Sequence, residues 1–279
     1  MTRATLAQVL QPALRGGYAV PGLVCLGWED ARAYALAAQA EKAPVILQAG
    51  PGARAHMPLA LWGAMFGALA DSVDVPVVAH LDHGHTLDEC RMALDAGFTS
   101  LMFDGSRLAL DRNIEATAEV VRLARAAGAS CEGEIGFVGY AGGTASAGTD
   151  PTEAARFARE TGVDAMAISV GNLHLQTSEG AGLDLDRLSA IEAVTTVPLV
   201  IHGGSGVPPD QRRALARSSH ICKFNIGTEL RQTFGASVRT ALARDPALFD
   251  RIAIMKEPEA ALADAARRIM RSLGASGRA

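Results

Sequence analysis

The sequence predicts an α/β fold of the (β/α)8, or TIM-barrel, class, built as a single domain over residues 1–279. Apolar runs of strand length alternate with helix-compatible stretches along the whole chain, and repeated strand–helix units give a parallel sheet. Eight such units can be counted, and eight units in about 250 residues is the size of a closed barrel. Ala and Gly are abundant while aromatics make up only 5% of the chain, which suits helices packed closely on a sheet. A doubly wound open sheet is the alternative, but no Gly-x-Gly-x-x-Gly follows the first predicted strand.

The elements follow in order. Residues 5–15 read as a short amphipathic helix ending at Gly16-Gly17, and Tyr18–Cys25 as the first strand. Glu29 to Lys42 has helical composition and stops before Pro44. Val45–Gln48 is the second strand, followed by a Gly/Pro loop at Gly50-Pro51-Gly52 and a helix near 57–71. The third strand, Val75–Leu81, leads to a helix over 86–96 whose start reads as a capping box, with Thr86 at the N-cap and Glu89 three residues on. Ser100–Phe103 is the fourth strand, 110–127 a helix, and Ala129–Ile135 the fifth strand. A loop rich in small residues covers 136–149 and ends at Asp150, the N-cap of a helix with Pro151 at its first position. Ala165–Val170 is the sixth strand, followed by a loop over 171–183 and a helix over 184–194. The seventh strand spans 197–202, a helix starts at Pro208-Pro209, and Ile221–Ile226 is the eighth strand, with helices beyond. No composition shift marks a linker.

The net charge of −4 and pI near 6.0 argue against a nucleic-acid or acidic-membrane partner. The four cysteines form no C-x-x-C pair and sit in apolar or helical contexts, which reads as reduced, buried thiols. There is no signal-peptide pattern and no apolar run of about 18 residues, so a soluble cytoplasmic protein is expected.

Polar chemistry gathers at the predicted strand ends, where barrel active sites lie. His80-Leu81-Asp82-His83-Gly84-His85 ends the third strand, Asp104 and Ser106 the fourth, and Glu132 and Glu134 share one face of the fifth. His174 follows the sixth strand, His202 ends the seventh and Asn225 the eighth. Imidazoles delivered by three separate strand ends suit a zinc site with one open position, a Lewis acid able to polarise a carbonyl and stabilise an enolate. Asp82 beside such a ligand could move a proton to or from a hydroxyl. His202-Gly203-Gly204-Ser205-Gly206 and Asn225-Ile226-Gly227-Thr228 each precede a helix, in the loops that form the usual barrel phosphate site.

With these residues in view, the chain resembles the class II (zinc-dependent) ketose-bisphosphate aldolases, the family of fructose- and tagatose-bisphosphate aldolases. The likeness covers nearly the whole chain, from Gly17-Tyr18-Ala19-Val20-Pro21 to the helix after the eighth strand. Its motifs are His80-Leu81-Asp82-His83, Asp104-Gly105-Ser106, Glu132-Gly133-Glu134-Ile135-Gly136, Gly162-Val163-Asp164, His202-Gly203-Gly204-Ser205-Gly206 and Lys223-Phe224-Asn225-Ile226-Gly227-Thr228. The resemblance implies that His83, His174 and His202 ligate Zn2+ and that Asp82 is the acid/base at the hydroxyl next to the broken C–C bond. It implies that Glu134 approaches the metal when it shifts, and that Gly203, Ser205, Asn225 and Thr228 hold the donor's phosphate and hydroxyls. It further implies a small sugar-phosphate substrate cleaved reversibly to dihydroxyacetone phosphate, or a similar donor, and an aldehyde. A monovalent cation such as Na+ or K+ and a homodimer or homotetramer are usual in such enzymes. Of the other histidines, His80 is expected to be buried and structural, His85 solvated, and His56 and His220 on the surface. Asp104 is expected to support the site through Ser106 or another hydrogen bond, or to cap the next helix.

The chain departs from that pattern in two places. The loop after the fifth strand, 137–149, holds no carboxylate where these enzymes usually place the acid that abstracts the donor's proton, leaving Tyr140, Glu132, Glu134 or water to take its place. His174 is followed by Leu175-Gln176-Thr177-Ser178, without the usual glycine and lysine. Two other readings compete. A metal-dependent hydrolase would use the His83-Gly84-His85 pair. A non-catalytic barrel would bind a sugar phosphate, and the missing loop acid favours it.

Overall fold

Eight parallel strands close into a barrel in chain order: β1 (Val20–Val24), β2 (Val45–Ala49), β3 (Val77–Gly84), β4 (Ser100–Phe103), β5 (Ser130–Ile135), β6 (Ala165–Ile168), β7 (Leu199–Ile201) and β8 (Ile221–Ile226). This computed structural model describes residues 2–139, 143, 145–176, 180 and 182–279. β8 pairs with β1 in parallel, Val20 opposite Lys223 and Gly22 opposite Asn225, so the open-sheet alternative is excluded. The outer helices are α1 (Leu6–Gly16), α2 (Trp28–Glu41), α3 (Pro51–His56), α4 (Leu59–Asp71), α5 (Leu87–Asp95), α6 (Leu110–Ala126), α7 (Pro151–Thr161), α8 (Leu185–Glu192), α9 (Pro209–Ser218), α10 (Thr228–Arg244) and α11 (Arg251–Ser272).

Strands covered on both faces should be apolar runs rather than alternating ones. Every residue of β2 through β8 is buried. The helices add small side chains. α2 buries Ala31, Ala33, Ala35, Ala37 and Ala38, which lets α11 approach with Leu262, Ala265, Ala266 and Ile269. All four cysteines are buried free thiols.

Three local expectations are corrected. Gly50-Pro51-Gly52 is the start of α3, with Pro51 at its first positions, where a missing N–H is harmless. β3 continues past Leu81 to Gly84, so Asp82 and His83 lie on the strand itself. The reciprocal capping box is at Thr5 and Gln8 on α1. At α5 only half of it forms: Thr86 accepts from the Glu89 N–H, but the Glu89 carboxylate accepts from His85 N and Arg54 instead.

The barrel axis is polar. Gln48, His80, Ser100, Glu132 and Lys223 are all buried in the strands, and the register sets Gln48 beside His80 and His80 beside Ser100. Gly22 makes room for this filling. A Cβ there would lie 1.9 Å from Gln48 Oε1 and 2.9 Å from Asn225 Oδ1. Gly22→Ala should therefore destabilise the protein by about 1–3 kcal/mol through overpacking. Chemical denaturation checks this, and an unchanged midpoint would show that Gln48 has space to retreat.

Candidate active site

The end of β3 departs from ordinary strand geometry. Successive strand residues face opposite sides, yet Asp82 and His83 line the same cleft. The pairing with β4 slips between Leu81 and Gly84, a bulge, and His83 adopts φ 54°. A left-handed non-glycine residue costs on the order of 1–3 kcal/mol. The Arg54 guanidinium offsets that strain. It is almost fully buried and donates to Ala49 O and Asp82 O at 2.6 Å each, to His83 O at 3.0 Å and to Glu89 Oε1 at 2.9 Å. The fork fits only if the bulged carbonyls hold their positions.

The bulge brings His83 to His174 and His202. Ring centroids lie 5.2 Å apart for His83–His174, 4.8 Å for His83–His202 and 5.5 Å for His174–His202. One nitrogen from each ring falls within 4.8 Å of the others. His83 turns Nδ1 to Asp104 Oδ2 at 2.8 Å, and Asp104 also accepts from the Ser106 hydroxyl and N–H, so it supports the site and does not cap α6. His202 presents Nε2 to Glu132 Oε1 at 3.0 Å. Its Nδ1 is buried without a hydrogen-bond partner, as is Glu134 Oε2 at 3.4 Å from it. Two orphaned buried atoms facing each other beside two more imidazoles fit a metal ion, with nitrogen and oxygen donors of the kind a catalytic zinc takes.

The electrostatics agree. Burial pulls the His83 imidazole down, but Asp82, Asp104 and Glu134 around it outweigh this and push it up to about 9. Burial, followed by the neighbouring imidazoles, holds His174 down to about 3. Burial raises the Asp82 carboxyl, but the surrounding His83, His202 and Lys223 outweigh it and keep Asp82 below the usual range. Glu134 is pushed up to about 7, chiefly by burial.

Asp82, His83, His174, Gly203, Ser205, Asn225 and Thr228 all line one cleft at the C-terminal mouth of the barrel, open to solvent. His202 and Glu134 lie beneath its floor, fully buried. Asn225 Nδ2 donates to Asp82 Oδ1 at 3.3 Å. Gly203 has φ 66°, and a Cβ there would meet Leu173 O at 1.9 Å, so the chain needs glycine at this turn. A 3-10 turn over Gly204–Gly206 follows. The Ser205 hydroxyl accepts the N–H groups of Gly227 and Glu229 at the start of α10, and so is already engaged by that helix end.

Four contributors escaped the sequence reading. Arg231, one helical turn beyond Thr228, also lines the cleft. Arg54 clamps the bulge, and nothing in the sequence marks it. Asn172 donates to His202 O at 3.0 Å and to Ile168 O, joining β6 to β7. Lys223, a lysine inside the apolar run of β8, was visible and unassigned.

His80 is buried and bonded to Ser100 and Lys223, as expected. His56 is exposed. His85 is exposed too and its N–H is held by Glu89, so the paired histidines of a hydrolase do not form. His220 is half-buried rather than fully on the surface. Its carbonyl accepts from Leu199 N at the base of β7, and its Nδ1 is buried. Glu132 cannot replace the missing loop acid, because both oxygens are engaged by His202 and Lys223. Tyr140 lies outside the described residues, as do Thr177 and Ser178 after His174.

A family model described as "Fructose-bisphosphate aldolase class-II" matches residues 4–278. A fructose-bisphosphate aldolase of Geobacillus stearothermophilus is 35% identical across 100% of this chain and 99% of its own length. A 6-phospho-5-dehydro-2-deoxy-D-gluconate aldolase of Shouchella clausii is 35% identical over 98% of this chain and 95% of its own. The crystal structure of the YdjI aldolase from Escherichia coli K12 superposes with a TM-score of 0.89 at 27% identity, covering 99% of both chains. This chain belongs to the class-II fructose-bisphosphate aldolase family and is an aldolase, a carbon–carbon lyase.

Proposed function

We propose that the protein is a zinc-dependent aldolase that reversibly splits a ketose phosphate into dihydroxyacetone phosphate and an aldehyde. The observation that carries this is the facing pair of orphaned buried atoms, His202 Nδ1 and Glu134 Oε2, between His83 and His174. The names of two similar proteins suggest the shared half of the substrate. Fructose bisphosphate and 6-phospho-5-dehydro-2-deoxygluconate both place a phosphate one carbon from a ketone, and differ in the half that leaves as aldehyde. His83, His174 and His202 would hold zinc, with the Glu134 carboxylate close enough to join them. Zinc supplies a Lewis acid that polarises the donor carbonyl. A monovalent cation, Na+ or K+, is carried over from the family, as are a homodimer or homotetramer and a cytoplasmic location for the whole 1–279 unit. Phe249, 92% exposed, and Ile252, 66% exposed, leave apolar surface for a second copy. No helix among the described residues is long and apolar enough to cross a membrane.

The chain's own groups divide the reaction. Asp82, held ionised by the His83, His202 and Lys223 charges that outweigh its burial and oriented by Asn225, takes the proton from the hydroxyl on the carbon that becomes the aldehyde. The electrons of the broken C–C bond move to the donor carbon, and Glu134 is the described carboxyl that can return a proton there. The glycine turn after β7 and the start of α10 would receive the donor phosphate through N–H groups other than those of Gly206, Gly227 and Glu229, which Gly203 O and the Ser205 hydroxyl already accept, with Arg231 beside them.

The reading is tested by measuring metal content and screening ketose mono- and bisphosphates for triose phosphate release before and after chelation. Asp82→Ala should keep its zinc and fold but lose cleavage by about 10^2–10^4-fold. Cleavage at the wild-type rate in that variant would remove Asp82 from its role. Glu134→Gln should abolish solvent exchange of the donor's α-proton, followed by NMR in heavy water with dihydroxyacetone phosphate alone, and persistent exchange would assign the proton to another group. His83 is raised to about 9 in the metal-free protein and so holds a proton at pH 7. Zinc binding at pH 7 should release about one proton or more, with affinity rising as pH rises toward that value. Calorimetry in buffers of different ionisation enthalpy reads this directly, and no release would mean His83 is already neutral.

A further inference from the structure

Behind the cleft, a line of buried polar groups crosses the barrel axis. Ser100 Oγ lies 2.8 Å from His80 Nδ1, His80 Nε2 lies 3.1 Å from Lys223 Nζ, and Lys223 Nζ lies 2.6 Å from Glu132 Oε2. Glu132 Oε1 then lies 3.0 Å from His202 Nε2. Every member is buried: His80, Glu132, His202 and Lys223 are each 0% exposed.

From this geometry we infer that Lys223 is a positioning residue that fixes which nitrogen His202 offers to the metal. An ammonium can only donate. Lys223 therefore donates to His80 Nε2, which places the His80 proton on Nδ1, toward Ser100. It also donates to Glu132 Oε2, which pins the carboxylate and leaves Oε1 to accept from His202 Nε2–H. The His202 proton is thus on Nε2 and the lone pair on Nδ1, the atom left without a partner beside Glu134. The lysine does not touch the metal or the substrate. It acts through two intermediaries, as outer partners of metal-ligating histidines do, and such partners shift metal affinity by about 10–100-fold.

The inference rests on the zinc reading for its consequence but not for its geometry, so the first test uses metal-free protein. Long-range 15N correlation spectra of histidine-labelled protein, with His202 assigned by its loss in His202→Gln, should show the Nε2–H tautomer. An Nδ1–H tautomer would overturn the inference whether or not zinc is the metal. In Lys223→Met the buried Glu132 loses its counter-ion and takes up a proton, so it can donate to His202 as well as accept; this should give mixed His202 tautomers and raise the zinc Kd by about 10–100-fold, read by chelator competition. Because that variant leaves Glu132 buried without its counter-ion, Lys223→Met/Glu132→Gln is the companion, a neutral pair of similar size. It should show the same loss of affinity. Wild-type affinity with a single Nε2–H tautomer in the folded double variant would overturn the role given to Lys223.

Discussion

The active site depends on a break in strand alternation. A regular β3 would send either Asp82 or His83 to the helix side of the barrel, separating the carboxylate from the imidazole cluster. The bulge and the left-handed backbone at His83 put both in the mouth, and Arg54 holds the resulting carbonyls through a single planar fork. Asp104, Asn225 and the other imidazoles then meet side chains whose directions the backbone has already set.

A second constraint is charge. Asp82, Asp104, Glu132 and Glu134 converge on a small volume from which water is largely excluded, and an unpaired buried carboxylate is unfavourable by several kcal/mol. Lys223 answers Glu132 and the proton on His83 answers Asp82 and Asp104. Glu134 is left with one oxygen unanswered. Burial, more than that missing partner, pushes the Glu134 carboxyl up to about 7.

The two ends of the cleft are built differently. The histidine end uses side chains held by buried hydrogen bonds. The other end is built from backbone: the glycine turn after β7 and the first turn of α10, joined by the Ser205 hydroxyl.

Much of this was legible in the sequence. Eight apolar runs separated by helical stretches fix the number and order of strands, because a strand covered on both faces must be apolar and parallel neighbours need a crossover helix. Histidines placed just after three of those runs, and Asp82 beside one of them, must share the mouth once the barrel closes. What the tertiary structure alone decided is how those residues are aimed and partnered. Nothing local marks Arg54, whose contacts are carbonyls brought together by the bulge. The Ser100–His80–Lys223–Glu132–His202 line links β3, β4 and β5 to β8 and the residue after β7, which face one another only across the closed axis. The sequence shows which residue types are present at each strand end; closure, register and one bulge determine which atom of each faces its neighbour, because hydrogen-bond direction depends on positions that residues far apart in the chain set for one another.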